Sequence, residues 1–144
     1  MKATSVNDCK LLDLPKIHNV AGNITSVNNS QEIPFAIRRV YYLYDVPGGE
    51  ARGGHAHKQM QQVIVAASGS FDIIVDDGQV KKSFNLSRSY KCLYIPPGLW
   101  RELDNFSSGA ICLALASTLY AETDYLRHYS EFLKYKSDRS RSAC

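Results

Sequence analysis

The sequence lacks the features of several large protein classes. Its four cysteines, at positions 9, 92, 112 and 144, form no C-x-x-C pair, so the pattern indicates neither a zinc site nor a disulfide framework. The first ten residues, MKATSVNDCK, contain no apolar stretch typical of a signal peptide, and no apolar run approaches a membrane span in length. We therefore expect a cytoplasmic protein with no membrane partner.

Concentrated charge is also missing. The net charge is +3 over 144 residues, and no basic run is longer than a pair, so we expect no nucleic-acid partner, whereas a small anionic ligand is compatible. Apolar residues make up 44% and charged residues 22%, as in ordinary globular domains. The length predicts a single domain over residues 1–144, with a flexible polar tail at 136–144.

Short β-strands are predicted over most of the chain. The segment 110–117 (AICLALAS) is a continuous apolar run of strand length, which predicts burial on both faces. Only 122–136 has apolar residues at helical spacing. Many short strands separated by turn signals favour a β-sandwich or β-barrel. The predicted strands are 37–44, 62–67, 71–75, 80–86, 92–95 and 110–117.

One segment has the spacing of the first cupin motif, G-x5-H-x-H-x3,4-E-x6-G. It runs from Gly49 through His55, His57 and Gln62 to Gly69, with Gln62 in the position of the glutamate. Since residues two apart on a strand face the same way, both imidazoles are expected to project into the pocket of a jelly-roll barrel. Gln62 is expected to reach the same pocket from the next strand. A pair of inward histidines has no ordinary packing purpose, which favours a functional role.

A second segment, Pro96 to Asn105, has the spacing of the second cupin motif, with Arg101 in the position of the histidine. In metal-binding cupins the two histidines, the glutamate and this later histidine hold one divalent ion. Here Gln62 is a weak ligand and Arg101 is a permanent cation that repels one. We therefore predict no metal and no other cofactor. Two imidazoles and a guanidinium suit an anionic transition state.

Further polar and aromatic residues are candidates for binding a ligand. Arg52 lies three residues before His55, where it can contact a diphosphate in bidentate fashion. Arg39 and Tyr41 share one face of a predicted strand, although parity alone does not say whether that face is inward. Trp100 is compatible either with the core or with a base or sugar. The candidate binding residues are Arg52, Gln62, Arg39, Trp100 and Asn105.

Most of the chain, from about Ala21 to Lys136, resembles the sugar 3,4-ketoisomerases of dTDP-deoxysugar pathways. The related 3,5-epimerases share the R-G-x-H element but typically use one histidine with a partner aspartate. The resemblance rests on the segments 33–42 (IPFAIRRVYY), 52–58 (RGGHAHK), 96–103 (PPGLWREL) and 121–129 (AETDYLRHY).

This resemblance implies an all-β cupin (RmlC-like) jelly-roll β-barrel with a short C-terminal helix, and a homodimer with exchanged strands. It implies that the substrate is dTDP-4-keto-6-deoxy-D-glucose and the product a 3-keto-6-deoxyhexose. His55 and His57 carry over as catalytic residues, with Tyr41 and Arg101 close to the sugar. Arg101 favours the gluco product at C4, whereas Ala21 departs from the Tyr or Arg expected before Gly22.

The chemistry expected of these residues is an acid–base isomerisation through an enediolate. An unperturbed histidine has a pKa of about 6.5, so it can take and give protons near neutrality. Arg101 and Tyr41 would stabilise the developing negative charge. Two alternatives stay open at the level of sequence: a metal-dependent cupin such as an oxygenase, and a sugar-nucleotide-binding cupin without catalytic activity.

Overall fold

The computed structural model describes residues 3–142, and nearly all of its regular structure is β-strand. Two short 3-10 turns, at Val6–Asp8 and Glu122–Asp124, and one C-terminal helix, α1 (Tyr129–Ser142), accompany ten strands. The strands are β1 (Lys10–Asp13), β2 (Arg39–Leu43), β3 (Arg52–His57), β4 (Gln62–Ser68), β5 (Phe71–Asp76), β6 (Lys81–Leu86), β7 (Lys91–Ile95), β8 (Trp100–Asp104), β9 (Ile111–Ala116) and β10 (Tyr125–Leu126).

These strands form two five-stranded sheets. The first has the order β1-β7-β4-β9-β2 and the second the order β10-β3-β8-β5-β6, and the pairings are antiparallel. No strand pairing joins the two sheets within residues 3–142, so the jelly roll is a sandwich rather than a closed barrel. Strands β2 and β1 are the two edges of the first sheet.

The main core fills the space between the sheets. Ile64 and Leu93 of the first sheet belong to the same buried cluster as Phe71, Ile73 and Leu103 of the second. Alternation along each strand explains this, because every second residue points to the interior. Near one end of the same interior, strands β2, β3, β4 and β8 bring in polar side chains instead.

Both outer faces of the sandwich carry smaller apolar clusters. On the first sheet, Val63 and Leu115 are buried beneath Ile33 and Phe35, which lie in the long segment between β1 and β2. The predicted double-sided burial of 110–117 is therefore confirmed, since Leu115 faces this cluster while Cys112 faces the main core. On the second sheet, a cluster that includes Trp100 is buried beneath α1.

The six predicted strands are all present, but the helix prediction is wrong at both ends. Residues Tyr125 and Leu126 are not helical, because they pair with His57 and Ala56 of β3. The helix begins at Tyr129 and extends to Ser142, through most of the predicted flexible tail. No helix among the described residues is long and apolar enough to cross a membrane.

Two of the contacts that hold the helix to the body of the protein involve Phe132 and Lys136. Phe132 is fully buried in the cluster with Trp100. Lys136, itself nearly buried, donates a hydrogen bond of 2.6 Å from Nζ to the carbonyl oxygen of Thr4. This ties the C-terminal helix to the N-terminal segment, which explains why regular structure continues past residue 136. Residues 143–144 of the predicted tail lie outside the described part of the chain.

Candidate active site

The two histidines of β3 face the interior of the sandwich. The strand register pairs His55 with Arg101 of β8 and His57 with Tyr125 of β10. As strand parity predicts, both imidazoles lie on one face, and their Nε2 atoms are 3.1 Å apart. His57 is fully buried and His55 is half-buried. One ring nitrogen can therefore donate to the other, so that a proton can pass between them.

A bulge at Gly53 precedes this pair. From Arg52 to His55 the chain advances three residues, whereas the opposing strand advances only two, from Leu103 to Arg101. Gly53 has a φ of 83°, and a Cβ atom there would lie 2.7 Å from Cδ1 of Leu103, so the bulge needs glycine. Because of the extra residue, Arg52 shares the inward face of His55 instead of the opposite one.

Arg101 is a buried cation at the centre of the site, with only 1% of its surface exposed. Its Nη1 atom donates to Oε1 of Gln62 at 2.7 Å, and its Nη2 atom donates to the carbonyl oxygen of Leu99 at 3.0 Å. Its Nε atom is buried and has no hydrogen-bond partner among the described residues. A buried guanidinium without a carboxylate partner favours an anionic ligand or transition state.

Gln62 links Arg101 to Tyr41. It is 1% exposed, and its Nε2 atom donates a hydrogen bond of 2.5 Å to the hydroxyl oxygen of Tyr41. Tyr41 and Arg39 are half-buried residues of β2, while Val40 between them is exposed. The structure thus answers the question that parity left open: the face of β2 with Arg39 and Tyr41 is the inward one. The Arg39 guanidinium lies 4.7 Å from the centroid of the Tyr41 ring.

Burial and positive charge keep the two histidines neutral. Burial, and after it the Arg101 guanidinium, lowers the pKa of His55 to about 3 and that of His57 to about 2. Burial also lowers the pKa of Arg101, to about 10, which leaves it charged at neutral pH. The pKa values of both histidines therefore lie below the value of about 6.5 for an unperturbed imidazole, which favours the neutral form of each.

Tyr125, to which the sequence analysis assigned no role, packs against both histidines. Its ring centroid is 5.2 Å from that of His55 and 4.4 Å from that of His57. Its hydroxyl accepts a hydrogen bond of 3.5 Å from Nη1 of Arg39. Tyr125 thus closes one side of the histidine pair. It belongs to the segment 121–129, which carries part of the family resemblance, but its two-residue strand is too short to show a sequence pattern.

Asp124 is the second residue that the sequence analysis missed. Its Oδ2 atom lies 3.3 Å from Nδ1 of His57, which forms no hydrogen bond with any of the described residues. The carboxylate is fixed by the backbone amides of Gln59, at 2.7 Å, and Met60, at 3.3 Å. A carboxylate fixed by two backbone amides therefore lies beside His57 on the side away from His55.

Two of the nine predicted site residues lie elsewhere. Trp100 follows strand alternation away from its neighbour Arg101 and packs edge-on against Tyr129 of α1, with ring centroids 5.4 Å apart. It is a core residue on the outer face, apart from the cluster around His55 and His57. Asn105 has a φ of 54° in the turn after β8, and its Nδ2 atom donates to Oδ2 of Asp72 at 3.0 Å. Its role is in that turn.

Arg52 lies at the rim of the site. It is exposed and lines an open cleft of about 380 Å³ formed by the end of β2, the loop that follows it and the start of β3. A larger cavity, of about 660 Å³, lies on the outer face of the first sheet and is lined by Lys16, Arg88 and Leu113, among others. None of the predicted site residues lines that larger cavity, so size alone does not locate the chemistry here.

The ligand set for a metal ion is incomplete. Within residues 3–142, no group of three or more histidine, cysteine, aspartate or glutamate side chains is placed to hold one. The carbonyl oxygen of Gln62, which would face an ion bound by His55 and His57, instead accepts from Arg101. The residues present therefore do not fit the metal centre of the metal-binding cupins.

Comparison with known proteins supports the same chemistry. The family model described as FdtA: WxcM-like, C-terminal, matches residues 7–137. The TDP-4-oxo-6-deoxy-alpha-D-glucose-3,4-oxoisomerase of Aneurinibacillus thermoaerophilus is 41% identical over 126 residues, which cover 88% of this chain and 91% of that protein.

Two solved structures are similar over nearly their whole length. WlaRB, a TDP-quinovose 3,4-ketoisomerase from Campylobacter jejuni, is 43% identical with a TM-score of 0.85, covering 90% of this chain and 99% of that one. A variant of the 3,4-ketoisomerase QdtA from Thermoanaerobacterium thermosaccharolyticum, in complex with TDP-4-keto-6-deoxyglucose, is 33% identical with a TM-score of 0.91, covering 94% and 98%. The range matched by the family model contains every residue of the cluster around His55 and His57.

Proposed function

The chain belongs to the FdtA (WxcM-like, C-terminal) family and is a sugar 3,4-ketoisomerase, and we propose that it converts dTDP-4-keto-6-deoxy-D-glucose into a dTDP-3-keto-6-deoxyhexose. The observation that carries the proposal is the contact between two neutral inward histidines, whose Nε2 atoms lie 3.1 Å apart beside the buried cation of Arg101. The relative QdtA in complex with TDP-4-keto-6-deoxyglucose supports the choice of substrate.

The reaction needs bases and an oxyanion site but no net oxidation. The C4 ketone acidifies the proton on C3, and an imidazole removes that proton, which leaves a 3,4-enediolate. A proton is then delivered to C4 while the proton of the C3 hydroxyl passes to the C4 oxygen, so that C4 carries the hydroxyl and C3 becomes the ketone. One carbon is reduced as its neighbour is oxidised, so atoms and electrons balance within the sugar. General acid–base catalysis of this kind typically contributes roughly 10²–10⁴-fold.

His55 and His57 act in this proposal as one acid–base unit. A low pKa in the unliganded protein keeps both imidazoles free to accept a proton. As negative charge develops on the enediolate, the imidazolium becomes more favourable, because it forms an ion pair with that charge. Asp124, 3.3 Å from Nδ1 of His57, adds a second stabilising negative charge. The contact between the Nε2 atoms lets the proton taken from C3 move within the pair.

Arg101 and Tyr41 stabilise the enediolate. Arg101 is charged, buried and short of one hydrogen-bond acceptor at Nε. In surroundings from which water is excluded, its attraction for an oxyanion is much stronger than in bulk solvent. Tyr41 offers a hydroxyl from the opposite sheet. Gln62 connects these two residues and holds them in place.

Arg52 and Arg39 attract the anionic part of the substrate. Arg52 stands at the rim, on the inward face that the bulge at Gly53 creates. Its exposed guanidinium is free to contact the diphosphate in bidentate fashion. Arg39, between the rings of Tyr41 and Tyr120, is held deeper in the site. In this proposal the two arginines supply affinity for the nucleotide, and the histidines carry out the chemistry.

The product proposed at C4 is the gluco isomer. Arg101 stands after the P-x-x-W stretch, and the relative WlaRB, with 43% identity, is a TDP-quinovose enzyme, quinovose being 6-deoxyglucose. Ala21 lies exposed in a hairpin closed by the pairing of Ile17 with Ile24. In the described residues it does not touch the histidine cluster.

A homodimer with exchanged strands is part of the proposal. The edge strand β2 exposes Val40 and Tyr42 on its outer face, at 55% and 59% of their surface, and Leu11 of the opposite edge strand is 57% exposed. Apolar side chains on open sheet edges favour pairing with a second copy. We place the protein in the cytoplasm, where the free thiols of Cys9, Cys92 and Cys112 fit a reducing compartment.

The direct test is turnover of dTDP-4-keto-6-deoxy-D-glucose followed by NMR of the sugar ring. The proposal predicts loss of the C4 ketone signals and growth of a single 3-keto product, whose coupling constants report the configuration at C4. Unchanged substrate in the presence of folded protein that binds dTDP would favour the binding-module alternative instead.

A further inference from the structure

Gln62 lies between Arg101, which can only donate hydrogen bonds, and Tyr41, which can both donate and accept them. Its side chain is fully enclosed, at 1% exposure, as is that of Arg101. Its amide group forms two hydrogen bonds, with Nη1 of Arg101 at 2.7 Å and with the hydroxyl of Tyr41 at 2.5 Å. The first crosses between the sheets, and the second joins β4 to β2 within the first sheet.

The chemistry of the three groups fixes the direction of both bonds. A guanidinium has no acceptor, so the amide oxygen of Gln62 must face Arg101. The amide nitrogen must then face Tyr41 and donate to it, which makes the Tyr41 oxygen an acceptor. The hydroxyl proton of Tyr41 cannot lie along the same line and points elsewhere. Within the described residues, that proton has no acceptor.

We propose that Gln62 is a positioning residue, which orients the hydroxyl of Tyr41 so that its proton is donated to an oxygen of the sugar as the enediolate forms. This inference rests on the proposed function and adds to it the polarity of the chain Arg101–Gln62–Tyr41. Arg101 polarises the amide, and the amide strengthens the hydroxyl as a donor, since hydrogen bonds in a chain reinforce one another.

A glutamine suits this position better than the glutamate of metal-binding cupins. A carboxylate there would accept from Arg101 and also from Tyr41, so the Tyr41 proton would turn back toward residue 62. The donor to the sugar would be lost and the charge of Arg101 would be neutralised. Burial raises the pKa of Tyr41, which keeps its hydroxyl protonated and able to donate.

A double-mutant cycle tests the inference. Gln62→Met removes both hydrogen bonds at similar volume and leaves the charge of Arg101 in place, while Tyr41→Phe removes the hydroxyl. We expect Tyr41→Phe to lower kcat about 10²-fold, as for the loss of one oxyanion donor, and Gln62→Met to lower it about tenfold. Affinity for dTDP, measured by calorimetry, should change less than about twofold for both variants, because the nucleotide is bound elsewhere.

The decisive result is the double variant. If Gln62 acts through Tyr41, adding Gln62→Met to Tyr41→Phe costs less than about threefold more in kcat. Fully multiplied losses, or a Gln62→Met variant with the kcat of the wild type, would overturn the inference. Gln61→Met is the matched control and should keep the wild-type kcat, because Gln61 accepts from Tyr94 at 2.9 Å and takes no part in the site.

Two other results also bear on the role of Gln62. If Gln62→Met does not fold, Gln62→Leu replaces it in the same cycle, since leucine also removes both hydrogen bonds and leaves the charge of Arg101 in place; the same non-additivity with Tyr41→Phe is expected. If the wild type itself does not turn over the keto sugar, the proposed function fails and this inference fails with it. A turning-over wild type with an additive cycle contradicts only the role of Gln62.

Discussion

The carboxylate of Asp124 and the Nδ1 atom of His57 lie 3.3 Å apart, and two backbone amides hold the carboxylate in that place. This arrangement gives His57 a negative neighbour on one side and His55 on the other. In the proposed mechanism, a proton taken from C3 at Nε2 places positive charge on the His57 ring, and the carboxylate beside Nδ1 favours that charged form electrostatically.

We predict that Asp124→Asn lowers kcat at least about tenfold, since loss of a carboxylate behind a catalytic histidine costs up to about 10⁴-fold in the best-characterised hydrolytic site. Affinity for dTDP should be unchanged by calorimetry. Asp104→Asn, at the far end of β8, is the control and should keep full activity. Wild-type kcat in a folded Asp124→Asn protein would remove Asp124 from the mechanism.

The free energy of unfolding should fall as the pH is lowered, over a pH range set by the pKa values of the two histidines. Their pKa values in the folded protein are about 3 and about 2, below the unfolded value of about 6.5. The unfolded chain therefore binds more protons below pH 6.5, so the stability present above that pH is lost as the pH falls toward 3. We expect a loss of roughly 1–3 kcal/mol for each histidine between pH 6.5 and 4.5.

Urea unfolding at several pH values measures this loss. His57→Asn should flatten the dependence of the free energy of unfolding on pH, because the variant has one fewer shifted group. His128→Asn replaces an exposed histidine at the start of the C-terminal helix and is the control. Equal slopes for wild type and His57→Asn would contradict a neutral buried His57.

Arg52→Ala should weaken binding of dTDP with little change in kcat. Loss of one charge-assisted contact to the diphosphate costs about 1.5–3 kcal/mol, or roughly 10–150-fold in Kd. Arg88→Ala removes an exposed arginine on the outer face of the first sheet and should bind dTDP as the wild type does. Equal Kd values for both variants by calorimetry would show that the diphosphate lies elsewhere.

Turnover should survive removal of divalent ions. Gln62 and Arg101 stand at two of the four ligand positions of the metal-binding cupins, and their hydrogen bond to each other blocks both. Dialysis against a chelator should therefore leave kcat unchanged, with metal content checked by mass spectrometry. Activity that disappears on chelation and returns with one divalent ion would support the oxygenase-like alternative.

Much of the site was predictable because β-strands repeat every two residues. Parity alone placed His55 and His57 on one face, and motif spacing added Gln62 and Arg101. The same rule, applied to Trp100 next to Arg101, points the indole to the opposite face, as the structure shows. Alternation along β8 therefore separates the ring of Trp100 from the cluster around His55 and His57.

Other features depend on long-range pairing that leaves no local pattern. The segment that contains Asp124 and Tyr125 has helical spacing, but pairing of β10 with β3 overrides it. The bulge at Gly53, which turns Arg52 inward, shows only in the register against β8. The low histidine pKa values depend on burial beside Arg101, which is 46 residues from His55 in sequence.

The central claim is that His55 and His57 move the proton between C3 and C4. Asparagine at either position keeps polarity but cannot act as a base near neutral pH. We therefore expect His55→Asn and His57→Asn each to lower turnover by about 10²–10⁴-fold with dTDP affinity largely retained. His18→Asn is the control, because His18 is exposed and its Nδ1 atom lies 2.7 Å from Oδ1 of Asn23, away from the site.

The most direct measurement is deuterium incorporation into the sugar in deuterated buffer, followed by NMR. The wild type and His18→Asn should wash deuterium into C3 or C4 during turnover, and a variant that lacks the C3 base should lose this exchange together with isomerisation. If both asparagine variants of the pair bind dTDP normally, exchange label and turn over within about threefold of the wild type, far inside the loss expected for acid–base catalysis, the two histidines do not carry the reaction.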